Sequence, residues 1–261
     1  MTSTSKLLRG LLQHSGWIVG KITRAKGLQG TSWWMAWSWS PLVVLSASLC
    51  SAVVLDGSAA ATIQAGSVHV ERGFAPSRLV QDLREDIDAC VSVGLFAAAG
   101  SGGRNGEEDT LRSAAYCDRV GSDRTIGIWG AFEALWERLD MVRLELGAAL
   151  GCELLPEMEL HYVRYPAGGF YKRHVDDFLE DTSDPSRTCR RCVSFICYLN
   201  EPGWEEIDGG QLRACNGPDA QTELLPESGN LVLFDSLKLE HEVLPTRRTR
   251  TCLIGWFHTP V

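Results

Sequence analysis

The sequence predicts an α+β fold with a mainly β core, in which a helical layer packs on a β sandwich or barrel. Three observations predict it. From about residue 62 to residue 152 the apolar residues recur at helical spacing. From residue 157 the period shortens to two. The short alternating segments are separated by turns bearing Gly, Pro and Asn, the pattern of an all-β core. Helices first and strands after place a helical layer against that core. A hydrophobic content of 44% is ordinary for a chain that buries a core, and 261 residues allow one substantial domain with an appendage.

Residues 1–62 read as an address rather than as part of the fold. Lys6, Arg9, Lys21, Arg24 and Lys26 are accompanied by no acidic residue, and residues 27–55 carry no charge. The run Pro41 to Leu55 is strongly apolar, and Ser58-Ala-Ala-Ala61 offers small residues for cleavage. Three readings stay open. The order of basic, apolar and small residues suits a signal peptide, although the basic region is long; a basic, Ser-bearing, acid-poor segment also suits an organellar transit peptide. A signal anchor would keep residues 27–55 in a membrane, since about 20 apolar residues cross a bilayer. The first and last of these place the body in the secretory pathway, the second in an organelle. A tail with a Trp-rich patch, and hence a cytoplasmic protein, is the plainer alternative.

The folded domain is expected over residues 63–261, with helical support over about 63–152 and the β core over about 157–258. Val80, Leu83, Ile87 and Val91 share one helical face. Ala98 to Glu107, rich in Gly and small polar residues, reads as a loop. Ala131 to Leu150 is the strongest helix, with Phe132, Leu135, Trp136, Leu139, Met141, Leu144 and Leu146 among charges and Gly151 to end it. Strands follow at 158–165, 193–199, 211–215, 222–225, 230–234 and 249–257.

Charge excludes some functions. The net charge is −8, and residues 1–55 hold five basic residues, so the body carries 20 basic against 33 acidic side chains. A phosphate backbone needs clustered Lys and Arg, so nonspecific nucleic-acid binding is not expected. The nine cysteines are irregularly spaced, and only Cys189 and Cys192 form a Cys-x-x-Cys pair. No second pair completes a zinc site, so most read as buried free thiols, with a local Cys189–Cys192 disulfide open to a secreted chain.

The chemistry-bearing candidates are in the β region. His174 and Asp176 are two apart, and in a strand such residues point to one face. With a third ligand from a distant strand they make a 2-His-1-carboxylate face, the arrangement of non-haem Fe(II) oxygenases. Alone the pair is a weak signal, and His69-Val70-Glu71 is a decoy of similar form outside the β core. His241 follows the apolar run Leu231 to Phe234, with a turn at Pro245 and Arg250 nine residues on. A hairpin between them would bring Arg250 beside the metal pocket, where a guanidinium can hold a carboxylate in two prongs. His258 is a spare distal ligand, without an Arg at a suitable offset. His161 is expected to face the core or solvent.

Four segments in order carry a family resemblance: Tyr165-Pro-Ala-Gly-Gly-Phe-Tyr-Lys-Arg-His-Val-Asp176, Cys192-Val-Ser-Phe-Ile-Cys-Tyr-Leu-Asn200, Gly209-Gly-Gln-Leu-Arg213, and His241-Glu-Val-Leu-Pro245 through Arg250 to Trp256. The chain resembles the Fe(II)- and 2-oxoglutarate-dependent oxygenases of the prolyl 4-hydroxylase superfamily, most of all the oxygen-sensing, hypoxia-inducible-factor type. The resemblance covers about residues 157–258 well. It implies a double-stranded β-helix of the jelly-roll, cupin-like kind, with N-terminal supporting helices. It implies Fe(II) on His174, Asp176 and His241, and the distal carboxylate of 2-oxoglutarate on Arg250 and Tyr198. Tyr165, Ile196 and Leu212 would line the cosubstrate pocket, and Trp256 would stand at the substrate entrance. Arg at position 250 fits the oxygen-sensing branch, because the collagen-type branch usually carries Lys there.

The activity so implied is a dioxygenase one. It couples oxidative decarboxylation of 2-oxoglutarate by O2, giving succinate and CO2, to hydroxylation of a substrate C–H bond, with L-ascorbate maintaining the iron. A proline-containing peptide is the leading substrate, with hydroxylation at C4. The same centre acting on another residue or a small metabolite, and a catalytically dead β-helix that binds a partner, are the alternatives. The charged stretch after Asp176 (residues 177–191) departs from the pattern and leaves the substrate unread, as does the oligomeric state.

Overall fold

The computed structural model describes residues 55–98, 113–177, 187–215 and 220–261. All of them belong to one unit, Cys50–Val261. The segment expected to be an address (residues 1–54), most of the expected Gly-rich loop (99–112) and most of the charged stretch (178–186) lie outside the described residues. Among the described residues no helix is long and apolar enough to cross a membrane.

Among the described residues three α-helices precede the central strands. α1 (Ala59–Gln64) buries Ala59 and Ile63, and the backbone N–H of Leu55 just before it donates to Glu145 Oε2 at 2.9 Å. The expected boundary between residues 62 and 63 therefore falls inside a helix that belongs to the core. α2 (Ser77–Ser92) starts after Pro76, which presets an extended entry, and buries Val80, Leu83, Ile87 and Cys90 along one stripe. α3 (Trp129–Leu150) buries Phe132, Leu135, Leu139, Val142 and Leu146 and ends at Gly151, left-handed at φ 69° as a helix-terminating glycine should be. Leu144, expected on the buried face, is 57% exposed, and Val142 takes its place.

Eleven strands among the described residues form two antiparallel sheets. The large sheet runs β1 (His69–Glu71), β9 (Leu231–Asp235), β6 (Cys189–Tyr198), β11 (Arg250–Pro260), β4 (Met158–Tyr165), β3 (Ala115–Cys117), β2 (Ala97–Ala98). The small sheet runs β5 (Tyr171–His174), β10 (Glu240–Val243), β7 (Leu212–Cys215), β8 (Gln221–Leu224). From β4 on, the chain alternates between the sheets except at the β7–β8 pair, which stays in the small sheet, and this alternation is how a double-stranded β-helix closes. The short strands β1, β2 and β3 extend the large sheet at its edges, so His69-Val70-Glu71 lies in a sheet after all, paired with β9. The expected hairpin between His241 and Arg250 does not form. β10 belongs to the small sheet and β11 to the large one, and Arg250 pairs with Tyr165. The backbone crosses between sheets instead of turning back, because a β-helix places successive strands on opposite walls.

The four central strands of the large sheet are buried on both faces. Leu160, Tyr162, Phe195, Cys197, Leu233, Leu253 and Phe257 pack with the helices. Their alternating neighbours Val163, Tyr165, Ile196, Tyr198, Val232, Phe234 and Cys252 pack with Leu212, Ala214 and Val243 of the small sheet. This is why these strands read as near-continuous apolar runs. Gly255 is the exception on the helix side: a Cβ there would lie 2.3 Å from the Glu159 carbonyl oxygen and 2.4 Å from the Phe195 ring, which fills the space.

One buried ion pair ties helices to sheet. Arg119 Nε and Nη2 donate to the two oxygens of Asp86, each at 2.9 Å, and both side chains are wholly buried. The Tyr162 hydroxyl of β4 and the backbone N–H of Ile128 donate to the same carboxylate, at 3.0 and 2.7 Å. Asp86→Ala leaves the Arg119 charge buried without its partner, so it is expected to cost about 3–5 kcal/mol. Urea denaturation measures it; a loss under 1 kcal/mol (about a fivefold change in the folding equilibrium) would contradict the account.

Candidate active site

Between the sheets lies a cavity of about 260 Å³ lined by Tyr165, His174, Asp176, Ile196, His241 and Trp256 together with Tyr116, Glu159, His161, Tyr171, Arg191, Ser194 and Phe234, among others. His174 ends β5 and His241 lies directly opposite it on β10, so the two imidazoles stand on one face with ring centroids 4.3 Å apart. Asp176 lies just past β5, outside any strand, and its N–H bonds to the Ser236 carbonyl at 3.2 Å. The pairing that brings the histidines together thus runs across strands, and the carboxylate arrives from a turn. One ligand atom from each of the three lies within 4.8 Å of the others, the one such group of His, Cys, Asp or Glu among the described residues.

Their hydrogen bonds fix which atoms face inward. His174 Nδ1 donates to the Lys172 carbonyl at 2.7 Å and His241 Nδ1 to the Leu239 carbonyl at 3.1 Å. A carbonyl only accepts, so in the neutral form of each ring Nε2 carries the lone pair. The Nε2 atoms face Asp176 Oδ1 at 3.4 and 3.8 Å. The other carboxylate oxygen, Oδ2, accepts from Ser194 Oγ at 2.6 Å and Trp256 Nε1 at 3.1 Å. With both rings neutral, three lone-pair-bearing atoms converge on one point, which is the chemistry of a cation site. Burial works to raise the Asp176 pKa, but the contacts with His174 and His241 and the Ser194 hydrogen bond outweigh it and hold the carboxyl well below its usual range. Burial lowers the His241 pKa, which favours the neutral, metal-binding imidazole. Tyr171 stacks on His174 with centroids 3.7 Å apart, and Phe234 covers His241 at 4.7 Å.

Arg250, Tyr198 and Leu212 are fully buried beside the cavity rather than in its lining, in the apolar cluster that holds Tyr165 and Ile196. Arg250 Nε donates to the Gly210 carbonyl at 2.9 Å, and its guanidinium lies 4.9 Å from the Tyr165 ring and 5.2 Å from that of Tyr198. No carboxylate among the described residues pairs with it, and Arg250 Nη2 and the Tyr198 hydroxyl have no hydrogen-bond partner. A buried cation without a counter-ion is costly, so this end of the β-helix fits an anionic ligand. Burial pushes the Tyr198 hydroxyl up to about 12, which keeps its proton available for donation. Gly210 makes this approach, with φ 71° and a would-be Cβ 3.0 Å from Arg250 Cδ.

The remaining candidates fall elsewhere. His258 Nε2 sits 3.8 Å from Glu159 Oε2 and takes no part in the triad, and His69 pairs with Glu71 at 3.4 Å. His161, expected in core or solvent, lines the cavity mouth beside Glu159. The eight described cysteines are free, Cys189 and Cys192 included. Ser194, Glu159, Arg191 and Tyr171 went unread, because their residue types are ordinary in strands and only the register reveals their neighbours. The cross-strand row Glu159–Trp256–Ser194 on β4, β11 and β6 puts all three on the cavity face.

A double-stranded β-helix carrying two histidines and one carboxylate with open positions, and a buried arginine at its inner end, defines the class of non-haem iron oxygenases. Comparison with known proteins makes the class specific. Residues 160–258 match the model of the 2OG-Fe(II) oxygenase superfamily. A prolyl-4-hydroxylase of Pseudomonas putida has a solved structure that is 30% identical, with a TM-score of 0.63, covering 77% of this chain and 97% of the other. A PKHD-type hydroxylase of Acidovorax ebreus is 29% identical over 70% of this chain and 74% of its own length. A prolyl hydroxylase of Trichoplax adhaerens, solved with a peptide of a hypoxia-inducible-factor degradation domain, shares the fold at 23% identity with a TM-score of 0.65, over 76% of this chain and 86% of that one. The chain belongs to the 2OG-Fe(II) oxygenase superfamily. It is a 2-oxoglutarate-dependent dioxygenase of the prolyl hydroxylase-like kind, and that family works with Fe(II) and 2-oxoglutarate. Likeness to the oxygen-sensing branch extends only to the fold.

Proposed function

We propose that the protein hydroxylates proline at C4 in a peptide or protein substrate, with ascorbate as the reductant that maintains its iron. The single observation that carries the reading is the convergence of the His174, Asp176 and His241 acceptors in a cavity backed by the unpaired Arg250. The kinship with the Pseudomonas putida enzyme supports proline as the target.

His174 and His241 would hold Fe(II) through Nε2 and Asp176 through Oδ1. Bound Fe(II) and 2-oxoglutarate supply the oxidative decarboxylation that turns O2 on a C–H bond. The residues do the rest. Arg250 and the protonated Tyr198 hold the distal carboxylate of 2-oxoglutarate, with Tyr165 and Ile196 as walls and Leu212 packed behind them. Ser194 and Trp256 occupy Asp176 Oδ2 and leave Oδ1 for the metal. Trp256, His161, Glu159 and Arg191 frame the mouth through which a prolyl ring enters. Burial raises the Glu159 pKa, but His161 and Arg191 more than offset this and hold the carboxylate at about 2, so it is ionised at neutral pH.

Gly210→Ala tests the cosubstrate end. A left-handed φ costs a side chain about 1–2 kcal/mol, and the new methyl presses on Arg250. The KM for 2-oxoglutarate is expected to rise about tenfold, with metal affinity little changed; an unaltered KM would detach Gly210 from the site. The decisive experiment loads the full chain anaerobically with Fe(II), adds O2 and follows succinate release with proline-containing peptides. Succinate formed in step with a peptide gain of one oxygen atom at C4 of proline supports the reading. Succinate release that no such peptide stimulates moves the substrate to another residue or a small metabolite.

A further inference from the structure

We infer that Trp256, braced by Arg191, is a positioning residue that fixes which oxygen Asp176 offers to the metal. The inference rests on the reading of His174, Asp176 and His241 as the iron site. As a mere apolar wall of the substrate entrance, Trp256 would need only its ring. The structure gives its N–H a task.

Asp176 lies beyond the end of β5, so no strand ladder orients its side chain. Three side chains grip it instead, Ser194 through its hydroxyl at 2.6 Å from Oδ2 and two more from the cavity rim. Trp256 Nε1 donates to Oδ2 at 3.1 Å, and Arg191 Nη1 donates to the backbone carbonyl of the same residue at 3.1 Å. The two grips support each other, because the Arg191 guanidinium lies 3.6 Å from the centre of the Trp256 ring. Arg191 is held in turn by Glu159, with Nη2 at 2.7 Å from Oε1 and Nε at 3.1 Å from Oε2. Glu159 stands opposite Trp256 on β4, and Ser194, the second donor to Oδ2, stands opposite it on β6.

With both donors on Oδ2, Asp176 presents Oδ1 alone between the two imidazoles. Without the indole N–H only Ser194 still holds Oδ2, and a single rotatable hydroxyl lets the carboxylate turn to offer either oxygen or chelate through both, crowding the positions that the cosubstrate needs. Partners that orient a metal ligand in this way are worth about 10- to 100-fold in metal affinity.

The test uses the full chain and Mn(II) as a redox-inert probe, with binding read by equilibrium dialysis without 2-oxoglutarate or peptide. W256F keeps an aromatic ring and loses the N–H. It is expected to raise the Mn(II) Kd at least about tenfold, while the thermal midpoint of the metal-free protein holds. Arg191→Met keeps an apolar cover on the indole but loses the grip on the Asp176 carbonyl; it is expected to weaken Mn(II) in the same direction and stands in if W256F does not fold. A Kd within twofold of wild type in either folded variant overturns the inference while leaving the iron site in place. Wild-type protein that binds Mn(II) no better than His174→Ala would overturn the iron-site reading, and the inference with it.

Discussion

His174→Ala is expected to remove turnover almost entirely, leaving below about 1% of wild-type succinate release. Three acceptor atoms share one point in this site, and the substitution takes one of them away. Residues that merely orient a ligand are worth 10- to 100-fold in metal affinity, so loss of a ligand is expected to cost more. The Lys172 carbonyl holds the imidazole from behind and Tyr171 stacks on its side, which together aim Nε2 at the shared point. His258→Ala is the control. That ring contacts Glu159 and not the triad, and its loss should leave iron binding within a fewfold of wild type. Anaerobic dialysis of both variants reads iron content directly. Full iron occupancy in His174→Ala would mean that the metal sits elsewhere.

Arg250→Met is expected to separate cosubstrate binding from folding. Removing one partner of a buried, hydrogen-bonded charge pair costs about 2–5 kcal/mol, so the KM for 2-oxoglutarate should rise at least about 30-fold. The same change should leave the cosubstrate-free fold as stable as before or more so. Arg250 is buried with Nη2 unpartnered and no carboxylate beside it, and replacing such a charge by an apolar chain of similar length relieves a desolvation cost. Asp86→Ala behaves in the opposite way, because it creates an unpaired buried arginine where Arg250→Met removes one. Urea denaturation with and without saturating 2-oxoglutarate checks both halves. Wild type should gain about 2.7 kcal/mol at a hundredfold excess over Kd, and the variant almost nothing. An equal gain in both would place the cosubstrate carboxylate on another residue.

Much of this was legible in the sequence. Met158 to Tyr165 alternates visibly and forms a strand with those bounds, and Ala131 to Leu150 shows its helix almost in full. His174, Asp176 and His241 could be named because metal chemistry restricts the residue types and the surrounding segments fix their order. What stayed hidden depends on pairing at a distance. β5 and β10 are four residues each and carry charged side chains, so their pattern is too short to register; only their pairing puts His241 opposite His174. The link from His241 to Arg250 looked like a hairpin because spacing alone cannot tell a return within one sheet from a crossing between two. Ser194 looked like any serine in an apolar strand until register set it beside Trp256 and under Asp176.

The double burial of the central strands has a consequence for how this protein tolerates change. Along β11, Leu253 and Phe257 serve the helical layer, while Arg250, Cys252, Ile254 and Trp256 belong to the opposite face, toward the small sheet, and Ile254 and Trp256 line the cavity. β4, β6 and β9 carry the same alternation in register. A saturation library over these strands should therefore read as a comb, with one set of teeth lowering abundance and the interleaved set lowering turnover at normal abundance. A lineage can remodel its preference for substrates on the second set while the first stays fixed. It cannot gain or lose a single residue between Arg250 and Trp256, because that slip would put the two on opposite sides of the sheet.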